Sequence, residues 1–282
     1  MISKLGDGTQ GATETLRCEN TQRRLSSRKV SAVMPCLNEE ETLGICVEKA
    51  FRCFHEIGVD GEVVVADNGS TDRSVEIARK LGARLIHQKV KGCGAALMAG
   101  IKAAKGDIIV MADADDSYDW SAMGHFVEKI EEGYDLVMGN RFKGEIKAGA
   151  MPFLHRYLGN PVLSIVARVF YRVQVGDFHC GMRAFTKGAY EEMKLRTTGM
   201  EFATEMEANA ARGGLRIAEI PTVLYPDKRT RPPHLRSFRD GSRHLRFIMT
   251  YAPNYLYMIP GGFLFILGVA LQLTLIRGAV RP

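Results

Sequence analysis

The stretch Ile108-Ile109-Val110-Met111-Ala112-Asp113-Ala114-Asp115-Asp116 decides how this chain is interpreted. An apolar run typical of a buried strand leads directly into carboxylates, and residues i and i+2 of a strand point the same way. Asp113 and Asp115 can therefore face one site. Two convergent carboxylates suit a hard divalent cation, which prefers oxygen ligands and often keeps phosphate in its shell. Such pairs also occur in solvated turns, so the position of this pair along the chain matters.

Alternating strand-like and helix-like segments surround this stretch and predict the fold class. Strands are predicted at 30–34, 62–66, 84–87, 107–112 and 136–138, with helices at 40–55, 71–81, 95–104 and 121–132 between them. This alternation is typical of an α/β fold with a Rossmann-like, mostly parallel sheet and helices on both faces. Ligands of such sheets bind at the carboxyl ends of the strands. The aspartates therefore stand where a ligand is expected.

The alternation stops after Gly144. Residues 151–175 read as an amphipathic, interfacial helix, in which arginines are interspersed among large apolar residues. A short strand is predicted at 181–185, a helix at 202–212, and two strands at 216–220 and 222–225 on either side of Pro221. The second part of the domain is therefore expected to add a few strands and a surface-seeking helix to the sheet.

Charge and hydropathy divide the remaining chain. The first 28 residues are polar and rich in Gly and Thr, which predicts a disordered tail without a cleavable signal peptide. Residues 228–254 are rich in arginine, a composition that suits an anionic surface, either lipid headgroups or nucleic acid. Because an apolar span follows directly, lipid is favoured and no nucleic acid partner is expected. The six scattered cysteines form no CxxC pair and predict a reducing, cytosol-facing domain.

Residues 255–276 form an uncharged stretch of 22 residues, close to the ~20 needed to cross a bilayer. Tyrosines stand at its start, as interfacial aromatic residues do. More arginines precede the span than follow it, which predicts that the large domain faces the cytoplasm. A buried core helix is the alternative. The chain ends six residues after the span, at 277–282, and the sequence leaves open a truncated chain.

Two further motifs stand at the ends of the first two predicted strands, and a third precedes the third helix. Pro35-Cys36-Leu37-Asn38-Glu39 leaves the first strand, and Asp67-Asn68-Gly69-Ser70-Thr71-Asp72 leaves the second. Lys91-Gly92-Cys93-Gly94 is a glycine-containing loop whose backbone N–H groups can approach a phosphate, to which the lysine adds charge. Each motif alone is ordinary turn or cap chemistry. Together with Asp113 and Asp115 they form an ordered series at successive strand ends.

This series resembles the family 2 glycosyltransferases with the GT-A fold, in particular the branch that uses polyprenyl or dolichyl phosphate. The resemblance covers about residues 30–249. It implies a GT-A catalytic domain at 29–227, a basic juxtamembrane segment at 228–254 and a transmembrane helix at 255–276. The implied cofactor is Mg²⁺ or Mn²⁺, held by Asp113 and Asp115. The implied substrates are a nucleotide-diphosphate sugar, UDP-glucose or GDP-mannose, and a polyprenyl phosphate, with membrane lipids as a further partner.

The resemblance also implies which residues bind the nucleotide. Pro35, Leu37 and Glu39 would line its pocket, and Asp67 would hydrogen-bond the base. Lys91 and Gly92 would lie along the nucleotide. Many relatives carry a second Asp before Asp67, where this chain has Ala66, and a Gln two residues after the second metal Asp, where it has Ser117.

Phosphate and acceptor residues are implied further along the chain. Arg141 and Arg156 fall where family members place phosphate-facing arginines, and Asn160 stands where a Ser follows. Arg229 matches a later phosphate arginine, with Arg231 and Arg236 as competitors. The residues implied for catalysis are Asp115, Arg141, Asp177 and Glu205, with Glu201 on the same helix face as Glu205.

The implied reaction is inverting transfer of a hexose to a phosphate oxygen that is already ionised at neutral pH and needs little general-base help. Catalysis would rest on positioning and on charge stabilisation at the leaving diphosphate. Transfer to another glycan or lipid acceptor is a first alternative, although a Gln-x-x-Arg-Trp motif is absent. A non-catalytic GT-A scaffold is a second, and a Rossmann dehydrogenase, which would need Gly-x-Gly-x-x-Gly, is disfavoured. Sugar, nucleotide, polyprenol length and oligomeric state stay open.

Overall fold

The computed structural model describes residues 28–229 and 257–279 and, between them, positions 242, 246, 247, 249 and 250. The predicted tail at 1–27 and nearly all of the basic segment lie outside the described residues. The strands are β1 (Val30–Cys36), β2 (Gly61–Asp67), β3 (Arg84–His87), β4 (Ile108–Met111), β5 (Leu136–Ile146), β6 (Arg183–Thr186) and β7 (Ile217–Leu224). The helices are α1 (Leu43–Ile57), α2 (Ser74–Lys80), α3 (Cys93–Ala103), α4 (Met123–Glu131), α5 (Asn160–Tyr171), α6 (Lys187–Met193), α7 (Phe202–Arg212) and α8 (Ile259–Ala279).

The described strands form one seven-stranded sheet in the order β3-β2-β1-β4-β6-β5-β7. β6 runs antiparallel to both of its neighbours, and the other described pairs are parallel. The sequence prediction of a mostly parallel sheet is therefore confirmed. In the register of the central strands Cys36 pairs with Asp67 and Val33 with Met111, so the motifs that follow β1, β2 and β4 emerge at one edge.

The two faces of the sheet carry separate apolar cores, as the period-2 alternation of buried strands requires. Ala32, Val63 and Val110 pack on the face covered by α1 and α4. Val33, Val64 and Ile109 pack on the opposite face with residues of α3, α5 and α7. Helices on both faces are thus confirmed, and both cores hold the strand ends rigidly.

The predicted pair of strands at 216–220 and 222–225 is wrong, because β7 runs through Pro221 without a break. β7 is the last strand in the sheet order, and proline is tolerated on an edge strand, where its missing N–H need not serve a neighbour. The prediction of β5 at 136–138 is too short, because β5 continues along β7 to Ile146 past an irregularity in the register between Asn140 and Glu145.

The segment predicted as one interfacial helix at 151–175 contains a π-helical turn at His155–Gly159 and then α5. α5 ends at Tyr171, and the next residue, Arg172, has a left-handed backbone. Seven large apolar side chains of this region are exposed: Phe153, Leu154, Tyr157, Leu158, Val162, Ile165 and Val169. The helix is therefore amphipathic, as predicted, with an apolar face that the rest of the described protein does not cover.

Helix α8 includes Ile259–Ile276, which is long and apolar enough to cross a membrane and has none of its window buried in the structure. Its mean hydropathy of 2.1 and the absence of burial distinguish it from a core helix of a soluble domain. The start of the predicted span at 255–256 lies outside the described residues.

Candidate active site

Asp113 and Asp115 follow β4 at the carboxyl edge of the sheet. Asp115 is held in place by its own turn: the backbone N–H of Ser117 donates to Oδ1 at 3.0 Å, and the Ser117 hydroxyl donates to the same oxygen. Burial, together with the neighbouring charge of Asp115, raises the pKa of Asp113 to about 7. A cation bound beside Asp113 and Asp115 would be favoured, because it would offset the repulsion between their negative charges.

The cation present in the structure is a guanidinium. Arg229 lies just beyond β7, and its Nη atoms contact Asp115 Oδ2 at 3.0 Å and Glu39 Oε1 at 3.1 Å. Asp227 binds both the backbone N–H and the guanidinium of the same arginine. Burial works against the charged form, yet the pKa of Arg229 is raised because Asp227, Asp115 and Glu39 surround it. Arg229, implied by the resemblance as a phosphate contact, is thereby brought directly to the Asp-x-Asp pair.

These residues fit a divalent cation whose remaining ligands come from outside the protein. Within the ranges described, no three His, Cys, Asp or Glu side chains cluster in a way that could hold a metal ion by themselves. Two aspartates with one strongly raised pKa and a nearby stand-in cation form a partial oxygen site. Mg²⁺ and Mn²⁺ commonly complete such a site with phosphate oxygens.

The close approach of Gly181 fixes the position of Asp113. A Cβ atom built on Gly181 would lie 2.9 Å from Asp113 Oδ2 and 3.0 Å from the ring of Tyr118. The Gly181 N–H also donates to the Tyr118 hydroxyl at 2.9 Å. Tyr118 follows Ser117, the position where many relatives carry Gln. Its hydroxyl thus links the loop before β6 to the turn after β4.

At the other end of the site, Asp67 ends β2 and organises the turn that follows. Its carboxylate accepts the backbone N–H groups of Gly69 and Ser70 at 3.2 and 3.0 Å and contacts His87 Nδ1 at 3.2 Å. Burial alone would raise the pKa of Asp67, but the hydrogen bonds from Ser70 and His87 outweigh it and lower the pKa. Asp67 is therefore an ionised acceptor at neutral pH, as base recognition would need.

The loop containing Lys91 and Gly92 packs against the same turn. Lys91 Nζ donates to the backbone carbonyl of Asn68 at 2.7 Å, and the Asn68 side chain accepts the Gly92 N–H at 2.8 Å. Gly92 has a φ of +130°, and a Cβ there would lie 2.1 Å from the carbonyl oxygen of Thr198. Glycine is required at this position, because both the backbone angle and the close contact exclude a side chain.

Arg141 and Asp177 are brought together as a buried, bidentate ion pair. Arg141 donates from Nε and Nη2 at 2.6 and 2.7 Å, and its backbone N–H donates to Asp177 at 3.0 Å. Burial alone would raise the pKa of Asp177, but Arg141 overcomes this and lowers it. The carboxylate is thus ionised and fully engaged, while Arg141 also reaches the wall of the cavity described next.

A cavity of about 630 Å³ opens beside these residues. The predicted site residues in its wall are Pro35, Asp113, Asp115, Arg141 and Arg229, together with Asn160. The wall also includes residues 149–152, His155 and Leu163, which belong to or adjoin the segment with exposed apolar side chains. The cavity wall therefore includes both the acidic pair and part of the segment that the sequence predicts to meet lipid.

Nine predicted site residues do not line this cavity: Leu37, Glu39, Asp67, Lys91, Gly92, Arg156, Asp177, Glu201 and Glu205. Glu205, in the first turn of α7, accepts the backbone N–H groups of Arg196 and Thr197 at 2.9 and 2.8 Å, so it holds the loop before α7. Arg156 lies in the π-helical turn with its guanidinium 5.5 Å from the Tyr157 ring centroid. The functional roles implied for these nine residues stay predictions.

Sequence reasoning missed several residues of this region. His155 and His179 line the cavity, although no histidine spacing pointed to them. Asp116 and Asp227 pair with Lys228 and Arg229, respectively. Asp116 continues the run of acids after β4 and Asp227 is two residues before Arg229, so charge spacing was a usable signal for both.

A mostly parallel sheet whose carboxyl edge gathers carboxylates and arginines beside a cavity is the arrangement expected of the GT-A class of glycosyltransferases. The model of Glycosyl transferase family 2 matches residues 31–194, which is more than half of the chain. The chain belongs to this family, and the resemblance stated from its motifs is confirmed.

Individual relatives agree. The chain is 43% identical over 241 residues to a low-salt glycan biosynthesis hexosyltransferase, Agl6, of Haloferax volcanii; this covers 85% of the chain and 58% of that protein. It is 35% identical over 195 residues to a dolichyl-phosphate hexose transferase of the same organism, covering 68% of the chain and 81% of that protein. The chain thus spans less than two thirds of the first of these relatives.

Solved structures support the fold. Glucosyl-3-phosphoglycerate synthase of Mycobacterium tuberculosis, in complex with Mn²⁺, UDP and glucosyl-3-phosphoglycerate, matches with a TM-score of 0.65 and 20% identity. The match covers 90% of this chain and 87% of that one. At this identity the likeness establishes the GT-A-like sheet.

Proposed function

We propose that this chain is a membrane-anchored, inverting glycosyltransferase that moves a hexose from a nucleotide-diphosphate sugar to a polyprenyl phosphate. The observation that carries the proposal is the cavity, whose wall contains both the Asp113–Asp115 pair and residues of the segment around α5 that carries exposed apolar side chains. A polar donor and a lipid acceptor need both features at one cavity. The relative named as a dolichyl-phosphate hexose transferase supports the same acceptor class.

The donor would enter along the strand ends. Asp67 would accept a hydrogen bond from the base, Lys91 and Gly92 would lie along the nucleotide, and Asp113 and Asp115 would hold Mg²⁺ or Mn²⁺. When bound, the metal supplies charge neutralisation of the leaving diphosphate. UDP-glucose is the favoured donor and GDP-mannose the alternative; the Mn²⁺–UDP-glucose complex of the mycobacterial synthase supports the former.

The acceptor would enter from the membrane side. Arg141 reaches the cavity wall and offers a fixed cation to the acceptor phosphate, while Asp177 holds that arginine in its orientation. An arginine fork suits phosphate oxygens better than a lysine does. Ile259–Ile276 would anchor the domain on the cytoplasmic leaflet, with the exposed face of α5 against the lipid.

The test uses the detergent-solubilised chain with Mg²⁺ or Mn²⁺, polyprenyl phosphate and labelled UDP-glucose or GDP-mannose in parallel. Label is expected in the lipid fraction with one donor, and Asp115→Ala is expected to abolish it. Asp60→Ala, which removes an exposed carboxylate paired with Lys29, is the matched control and should retain transfer. Nucleotide binding without lipid product would favour another glycan or lipid acceptor. No nucleotide binding would favour a non-catalytic scaffold.

A further inference from the structure

The segment after β7, residues 227–229, returns across the acidic site with three consecutive charged side chains. Asp227 binds Arg229, which in turn contacts Asp115 and Glu39. Lys228 points the other way, to Asp116, with 2.6 Å between Nζ and Oδ2. We call residues 227–229 the strap.

Asp116 is the fixed point to which the strap is attached. Its side chain is 1% exposed, and its backbone is left-handed, with a φ of +58°. Lys49 of α1 binds Oδ1 at 2.8 Å, while Lys228 binds Oδ2. A buried carboxylate needs paired charge, and here one partner comes from the domain core and the other from the strap. Neither Asp116 nor its two lysines line the cavity.

We propose that Asp116 is a positioning residue: through Lys228 it holds Arg229 between Asp115 and Glu39, where the guanidinium acts as a resident counter-cation that a divalent metal must displace. The proposal rests on the metal–nucleotide site of the proposed function and adds a control on how that site fills. Asp116 acts entirely through the strap.

The physical consequence is an order of binding. A metal ion arriving alone competes with a guanidinium that is already charge-paired to Asp115, so its affinity is low. A metal arriving with a diphosphate brings the anion to which Arg229 can transfer, because a guanidinium binds phosphate as well as carboxylate. The strap therefore disfavours metal alone and favours metal together with the nucleotide.

When the strap is released, the affinity for Mn²⁺ alone should therefore rise, and the affinity for UDP in the presence of Mn²⁺ should fall. The measurement is Mn²⁺ binding to the full detergent-solubilised chain by electron paramagnetic resonance, and UDP binding in saturating Mn²⁺ by calorimetry. Arg229→Gln is expected to tighten Mn²⁺ alone about tenfold and to weaken UDP about tenfold, the size of one charge-assisted hydrogen bond.

Variants at Asp116 separate the strap from general electrostatics. Asp116→Asn suits the left-handed backbone and removes a negative charge, which by itself would weaken Mn²⁺ binding. If Asp116 acts through the strap, the opposite is expected: Asp116→Asn should bind Mn²⁺ about threefold more tightly and UDP more weakly. The charge-neutral double variant Asp116→Asn/Lys228→Met is expected to match the Asp116→Asn single variant. Lys49→Met removes the same charge from the same carboxylate without touching the strap, so Lys228→Met should exceed its effect on Mn²⁺ at least threefold.

If the double variant binds Mn²⁺ and UDP as the parent does, or if both affinities fall together, Asp116 is only structural and the proposal is overturned. Lys228→Met keeps the test valid should Asp116→Asn not fold. Binding is measured without any acceptor, so a failure of polyprenyl-phosphate transfer leaves these opposite shifts intact. If sugar transfer is normal but the Mn²⁺ and UDP affinities do not shift in the variants, the role of the strap is rejected while the proposed function stands.

Discussion

Asp177 is fully buried and Asp113 partly buried, both close to Arg141 or Arg229, yet their environments have opposite effects on their pKa values. Asp177 accepts two guanidinium donors and two backbone N–H groups, and its pKa is lowered. Asp113 lies against Asp115 and a glycine, and its pKa is raised to about 7. The first acid is satisfied by the protein itself, whereas the second is arranged for something that binds. Burial of a carboxylate therefore indicates a ligand site only when its internal partners are counted.

The largest expected effect is the loss of transfer in Asp113→Asn. Removing one charge from the metal pair should lower kcat/KM about 1000-fold, or ~4 kcal/mol, because the diphosphate loses its counter-charge. The same change relieves the repulsion between Asp113 and Asp115, so the Tm should stay the same or rise. Labelled-sugar transfer and thermal unfolding measure the two quantities.

A matched comparison for that variant is Asp107→Asn, which alters a carboxylate just before β4, at the far end of the strand. It should leave kcat/KM within about twofold of the parent. A fall in Tm for Asp113→Asn would contradict the assignment of Asp113 as an uncompensated acid and would make it resemble Asp177.

The second effect is destabilisation by Asp177→Asn. Arg141 would lose its ionic partner in a buried position, and breaking one member of such a pair costs about 3 kcal/mol or more. Urea unfolding followed by circular dichroism should show a lower midpoint with an unchanged m-value. Lys147→Met, which breaks an exposed pair with Glu145, should cost less than about 1 kcal/mol.

If Asp177→Asn keeps its stability but loses kcat, the residue acts on the substrate as the sequence resemblance implies. If stability and activity fall together, and activity returns at low temperature where the variant is folded, Asp177 serves by holding Arg141.

The same contrast explains how far sequence reasoning reached. The motifs after β1, β2 and β4 could be placed correctly because parallel strands end at one edge, whatever the loops do. The partners of Arg141 and Glu205 could not be predicted from the sequence. They lie in the loop that precedes the antiparallel β6 and in the loop before α7, and neither loop has a periodic hydrophobic pattern. The continuity of β7 through Pro221 was missed because only its edge position makes a proline tolerable there.

The pH dependence of stability offers a third, smaller test. The pKa of Asp113 is about 7 in the folded chain against a usual value of 3.8, so the folded state holds an extra proton between these values. Unfolding free energy should therefore fall as pH rises from about 4 to 7, at up to about 1.4 kcal/mol per pH unit. Asp177, with its lowered pKa, has the opposite sign: its stabilisation is lost only as pH falls below 3.8.

Metal-free urea titrations at several pH values measure this slope. Asp113→Asn is expected to flatten it between pH 4 and 7, while the parent retains it. An identical slope in both proteins would show that another group titrates, and the contrast between the two aspartates would lose its basis.

The smallest expected effect is that of Glu205→Gln. This variant tests whether Glu205 resembles Asp113, which is placed to bind a ligand, or Asp177, whose hydrogen bonds are made within the protein. Its carboxylate accepts two backbone N–H groups and the Thr197 hydroxyl at 2.7 Å, all from the loop that packs over Gly92. A neutral amide keeps the shape but weakens these hydrogen bonds, for a cost of about 1 kcal/mol. Since Glu205 does not line the cavity, kcat at saturating substrate should change less than threefold, while the KM for the nucleotide sugar rises modestly through the displaced loop. Steady-state kinetics separates the two constants. A hundredfold fall in kcat with an unchanged KM would instead place Glu205 at the reacting atoms, on the same side of the comparison as Asp113.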